Sequence, residues 1–110
     1  MKWSVGEHGT ANHVSVHCYS YPDDDTSYSF HLHVFDKGDM EASLLINGKN
    51  IFVNIEDTPV YADGSYILPT NMAFYQMMLA KEAFDTAVPF ALKEARKSVA
   101  RLANTLRVSR

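Results

Sequence analysis

The chain has 110 residues, with 10 Lys and Arg against 13 Asp and Glu, 46% hydrophobic and 12% aromatic residues, a formal net charge of -3 and one cysteine. With only 21% charged residues among so many aromatics, an intrinsically disordered chain is excluded, and a lone Cys18 excludes an internal disulfide framework or a multi-cysteine zinc site. The first 20 residues lack an apolar signal segment and no run approaches the roughly 18 apolar residues of a membrane span, so a cytoplasmic setting is expected.

Charge and periodicity divide at the same place. Residues 1–66 hold ten acids and three bases, a net of -7, and residues 67–110 hold three acids and seven bases, a net of +4. Short alternating segments precede Pro69 and helical spacing follows it, with no Gly-, Ser- or Pro-rich linker between them. The expected fold is α+β: one domain over residues 1–110, with an acidic sheet half (1–66) and a basic helical half (67–110).

In chain order, a short strand at Lys2 to Val5 is a candidate fifth member of a four-stranded antiparallel meander. Residues 13–21 alternate, with Val14, Val16 and Cys18 on one face and His13, Ser15, His17, Tyr19 and Tyr21 on the other. After the turn Pro22-Asp23-Asp24-Asp25, residues 28–35 place Tyr28, Phe30, Leu32 and Val34 opposite Ser29, His31, His33 and Phe35. Pairing Cys18 with Phe30 and Val16 with Leu32 puts both apolar sets on one face, whereas a slip of one residue would bury histidines. Lys37-Gly38-Asp39 connects to a second hairpin, where Asn47-Gly48 is the dipeptide of a type I′ turn. That turn would set Leu44 against Ile51, Ala42 against Val53 and Met40 against Ile55. Residues 57–69, with Pro59, Gly64 and Pro69, read as a loop.

Thr70 or Asn71 is a candidate cap for a helix over Met72 to Asp85. Pro89 lacks an N–H, so the expectation is two C-terminal helices or one helix kinked at Pro89. Val88, Leu92, Ala95, Val99, Leu102 and Leu106, spaced 4, 3, 4, 3, 4, draw a narrow apolar stripe. Met72, Phe74, Tyr75, Met77, Met78, Leu79 and Phe84 wrap nearly all sides of the first helical stretch. A central place in the core is the default for such a helix, and a homodimer through the helical half would also cover it.

Four histidines, His13, His17, His31 and His33, share one face of one hairpin, a permissive arrangement for a transition metal. An open antiparallel face also uses His, Ser and Tyr as ordinary polar fillers, and neither strand carries a carboxylate to orient the rings. The metal reading therefore stands as an alternative, and no cofactor is expected. Cys18 belongs to the apolar face and reads as a buried, inert thiol. No phosphate-binding loop, nucleophile elbow or zinc-protease helix motif is present, so binding is expected rather than catalysis.

Tyr19, Tyr21, Phe35 and Phe52 should lie on the open face, as do the stacking aromatics of single-strand nucleic-acid binders. Four antiparallel strands followed by helix resembles, in topology, the Whirly family and the related coactivator-type single-strand binders, and the resemblance implies nucleic-acid binding by a dimer. Against a phosphate ligand stands the charge of -7 on the sheet half. Lys93, Lys97 and Arg101 recur every four residues and form a basic row, while Asp23, Asp24 and Asp25 form an acidic turn. A folded partner could match both signs at once. The leading expectation is a non-enzymatic protein-binding module of the small inhibitor kind that phages and mobile elements encode, with the basic row, the acidic turn and Tyr19, Tyr21 and Phe35 as candidate contacts.

Overall fold

A computed structural model describes residues 1–9 and 14–108, with side chains over residues 1–6 and 14–98. Five strands in sequential order form one antiparallel sheet: β1 (Ser4–Gly9), β2 (Val14–Asp23), β3 (Thr26–Val34), β4 (Met40–Asn47) and β5 (Phe52–Val60). One helix, α1 (Phe74–Val108), follows and crosses a single face of the sheet. The fold is thus α+β, an antiparallel meander followed by one helix.

The β2–β3 register is the one the apolar pattern demands, with Cys18 opposite Phe30, Val16 opposite Leu32 and His17 opposite His31. Gly38, at φ 86°, turns the chain between β3 and β4 in a left-handed conformation that a side chain would strain. β1 begins and ends later than the sequence suggests, running from Ser4 rather than Lys2 and bulging between Val5 and Glu7.

The second hairpin departs from expectation. Leu44 faces Ile55 rather than Ile51, Ala42 faces Thr58 rather than Val53, and Met40 faces Val60 rather than Ile55. Neither Asn47 nor Gly48 has positive φ, so no type I′ turn forms, and residues 48–51 make a longer loop closed by the Gly48 N–H donating to the Ile51 carbonyl at 2.9 Å. Gly48 serves close approach instead: a Cβ there would lie 3.0 Å from Thr26 Oγ1 and 3.3 Å from Ile51 Cγ1. Shifting the register brings the 58–60 segment into the sheet, where Thr58 and Val60 are buried. A bulge made with Asp57 at φ 52° resets the alternation, so odd Val53 and Ile55 and even Thr58 and Val60 all face the core. Pro59 is tolerated because β5 is an edge strand.

Residues 57–69 are therefore not one loop. After Val60 a tight turn runs through Gly64 (φ 90°), with Asp63 Oδ1 accepting from Ser65 N at 2.9 Å and Ser65 Oγ at 2.6 Å. The chain then doubles back, and Tyr66 bridges to Val60. These hydrogen bonds hold the Asp63 carboxyl below its ordinary range, the Ser65 hydroxyl contributing most.

Thr58 Oγ1 is buried and finds no hydrogen-bond partner among the described residues. A buried hydroxyl without a partner keeps its desolvation penalty. Thr58→Val is accordingly expected to stabilise the protein by about 1 kcal/mol, seen as a higher urea midpoint with an unchanged slope.

The helix begins at Phe74, later than a cap at Thr70 or Asn71 would give, and continues through Pro89 without a break. Pro89 is exposed, so its missing N–H falls on the solvent side of the helix. Ala80, Ala83, Phe84, Ala87, Val88, Ala91, Leu92, Ala95 and Ser98 are buried and form the contact stripe. Val88, Leu92 and Ala95 of the expected stripe are among them; the side chains of Val99, Leu102 and Leu106 lie outside the described residues. Most of the contact positions are alanines, which let the helix axis approach the sheet closely. From residue 80 to residue 98 the helix rises about 27 Å, close to the length of a ten-residue strand.

The first turns of α1 are not central in the core. Phe74, Tyr75 and Met78 are exposed, because the sheet ends before the helix does. Lower down, Tyr66 packs its ring on Phe84 at 5.0 Å and donates its hydroxyl to Asp85, whose carboxylate also accepts from Lys81 Nζ at 2.8 Å. Burial, then Asp85, pushes the Tyr66 phenol up, while Lys81 and then Tyr66 hold the Asp85 carboxyl below its ordinary value of 3.8. A carboxyl depressed on folding contributes stability above its unfolded pKa and loses it as pH falls through the folded value. Asp85→Asn should therefore flatten the acid limb of stability below about pH 4, and at neutral pH should cost under about 1 kcal/mol because the pair is half exposed. Urea titrations of both proteins from pH 7 to pH 2 provide the check.

Candidate functional site

Alternation along β2 and β3 determines what the open face of the sheet carries. Tyr19, His17, His31, His33 and Phe35 stand there as one ladder of rings, with centroids 5.7 Å apart for His17–Tyr19, 3.8 Å for His17–His31, 4.0 Å for His31–His33 and 6.0 Å for His33–Phe35. The Tyr19 ring also lies over Gly6, where a Cβ would come within 2.2 Å of it. At these spacings the ring faces are engaged with one another, which leaves less face for a stacking base. Glu41 of β4 pairs opposite His33, and Glu7 of β1 opposite His17. A carboxylate, that of Glu41, thus stands beside the ladder from the neighbouring strand β4, which the β2–β3 segment alone could not reveal. Among the described residues no group of three or more His, Cys, Asp or Glu side chains is disposed to hold a metal ion. His13 lies outside the described residues.

Cys18 is fully buried on the opposite face, and burial, reinforced by the Glu94 carboxylate, pushes its thiol up to about 12. So protonated a sulfur is no nucleophile at neutral pH.

The two hairpin turns meet at one end of the sheet. Between them is a groove of about 580 Å³ lined by Tyr21, Asp24, Asp25, Thr26, Ser27, Asn47, Gly48 and Lys49. Pro22 and a register shift between Ser20 and Asp23 throw Tyr21 outward, and the Asp23 carboxylate accepts the Asp25 N–H at 2.9 Å, shaping the acidic turn. Phe52 pairs with Asn47 at the groove's edge, and its carbonyl accepts from Gln76 Nε2 at 3.2 Å, which ties the start of α1 to the same end. Tyr21, Phe52, Phe74, Tyr75 and Met78 are 68, 58, 79, 56 and 58% exposed.

The structure therefore brings Tyr21 together with Asp23, Asp24 and Asp25. It does not join them to Phe35, which follows β3 at the far end, nor to Lys93 and Lys97 on the second half of α1. Lys97 pairs with Glu94 at 3.3 Å, so part of the basic row is neutralised locally. The Arg101 side chain lies outside the described residues. Phe52, Phe74, Tyr75 and Met78 were missing from the sequence-derived contact set; the signal for Phe52 was its place among the open-face aromatics, and for the other three an apolar helix circumference too large for the sheet to cover.

The chain matches no protein-family model, no curated protein and no solved structure. No helix among the described residues is long and apolar enough to cross a membrane.

Proposed function

We propose that the chain is a non-enzymatic protein-binding module, of the small inhibitor kind encoded by phages and mobile elements, and that it engages its partner with the end of the sheet where the two hairpin turns and the start of α1 meet. The observation that carries this reading is the exposure of five large apolar side chains at one end of the sheet: Tyr21 in the groove edged by Asp24 and Asp25, Phe52 beside it, and Phe74, Tyr75 and Met78 at the start of α1, which Gln76 ties to Phe52. Aromatic and Met side chains beside a charged rim are the composition of a contact surface. The acidic turn favours a partner with a basic contact patch.

The test is affinity capture on the tagged protein from a lysate, repeated with Tyr75→Asp, with Asp24→Lys and with Lys97→Ala. One protein retained in near-stoichiometric amount by wild type and by Lys97→Ala, and lost from the other two, is the expected result, corresponding to a loss of about 2 kcal/mol or more at a central aromatic. Recovery of nucleic acid instead, with submicromolar oligonucleotide affinity and a steep salt slope that flattens in Lys97→Ala, would replace this reading. Self-association through the same exposed helix start is the second use that Phe74, Tyr75 and Met78 favour. Sedimentation distinguishes it, since a monomer holds a mass of 12.4 kDa at every concentration.

A further inference from the structure

At the opposite end of the sheet from the groove is a second cavity, of about 340 Å³, lined by Val34, Gly38, Met40, Ala62, Leu92, Ala95 and Arg96. Its origin is a shortage of side chain. Trp3, Tyr28, Phe30 and Phe84 fill the core elsewhere, whereas among the described residues here Gly38, Ala62 and Ala95 bring a methyl group or nothing. Gly38 is held left-handed, and a Cβ built on it would meet no atom within 4 Å, so the space beside the turn is open. Met40, Leu92 and Ala95 are themselves buried, so the floor belongs to the core.

Among the described residues of the lining, Arg96 is the one that is ionic. It reaches across the mouth, its Nη2 donating to the Ala62 carbonyl at 3.4 Å. A guanidinium carries five N–H donors in a planar fork that matches a carboxylate, and this contact uses one of them. Asp36 and Asp39 on the flanking turn, and Asp63 beside Ala62, are exposed, and none of them lines the cavity. The volume falls at the lower end of small-molecule sites.

We propose that this cavity binds an aliphatic monocarboxylate of medium chain length, with its hydrocarbon tail on Val34, Met40, Leu92 and Ala95 and its carboxylate on the Arg96 guanidinium. The site is independent of the protein-contact end, so either reading can fail without the other.

Sodium octanoate and the uncharged 1-octanol, titrated into the full chain and followed by two-dimensional NMR, test it. Octanoate should bind saturably to one site, with Kd on the order of 100 μM, and shift resonances of Val34, Met40, Leu92 and Ala95. Arg96→Gln should weaken octanoate about tenfold and leave octanol unchanged, because it removes the charged fork and keeps the cavity. Ala62→Leu, a substitution at an exposed turn, should weaken both ligands by narrowing the mouth. Absence of saturable octanoate binding up to about 5 mM in a folded sample overturns the proposal. So does binding that neither variant alters, or an Arg96→Gln protein with a wild-type melting profile that loses both ligands equally.

Discussion

Phe84→Ala is expected to lower the free energy of unfolding by about 3–5 kcal/mol, among the largest losses available to a single substitution in this chain. Phe84 is fully buried, its ring stands edge-on to Phe30 at 5.1 Å and packs on Tyr66 at 5.0 Å, and it is the bulkiest side chain of the helix contact stripe. Its helix neighbours facing the sheet are Ala80, Ala83, Ala87 and Val88. Alanines have no rotamers with which to fill a hole, and a helix already brought close by them has little room to move closer. The cavity should therefore stay largely open, placing the loss toward the top of the range. Domains of this size have total stabilities of about 5–15 kcal/mol, so the variant should be folded only marginally. Phe74→Ala is the control: the same chemical deletion at a residue 79% exposed should change stability by less than about 0.5 kcal/mol. Equal losses in the two variants, read from urea midpoints, would contradict the packing described.

How far the sequence reaches depends on whether a signal is local. The β2–β3 register was legible because three apolar residues of β2 and four of β3 can share a face in only one parity, and burial enforces that choice. At Asn47-Gly48 an equally strong local signal misleads. The dipeptide favours a two-residue turn, but that register would leave Thr58 and Val60 beyond the end of β4, whereas the longer loop pairs them with Ala42 and Met40. The bulge at Asp57 that makes this possible has no sequence signature, since an Asp at positive φ looks like any turn acid. The groove was half legible. Tyr21 and the acids were visible as a turn, but Asn47, Gly48 and Lys49 join them only through sheet pairing. The apolar circumference of the first helical turns was legible, and its exposure followed from the finite length of the strands. The carboxylate beside the histidine ladder comes from Glu41 of β4, outside the hairpin that holds the rings.

Trp3, the chain's sole tryptophan, belongs to no periodic pattern, yet Trp3→Ala is expected to cost about 3–5 kcal/mol. The residue precedes β1 and is buried, with its ring edge-on to Tyr28 and Phe30 at 6.2 Å in both cases. Its Nε1–H donates to Thr86 Oγ1 at 2.8 Å, across 83 residues of sequence, and so fastens the edge strand to the middle of α1. The Thr86 hydroxyl in turn donates within the helix, to the Ala83 carbonyl at 3.1 Å and the Glu82 carbonyl at 3.3 Å. That second bond determines how two substitutions should differ. Trp3→Phe removes the indole N–H but leaves Thr86 satisfied through its own proton, so no buried group is orphaned, and the cost should be only about 1–2 kcal/mol. Trp3→Ala removes the ring as well, exposes Tyr28 and Phe30, and loosens β1 from α1, leaving it to its ladder with β2 and the packing of Val5. Hydrogen exchange should therefore show β1 and the β1-facing amides of β2 losing protection in Trp3→Ala while the β3–β4 ladder keeps it. Wild-type fluorescence should be blue-shifted when folded and should move red at the same urea concentration at which the helical circular dichroism is lost. If Trp3→Phe proves as damaging as Trp3→Ala, the hydrogen bond rather than the ring is what holds the edge strand.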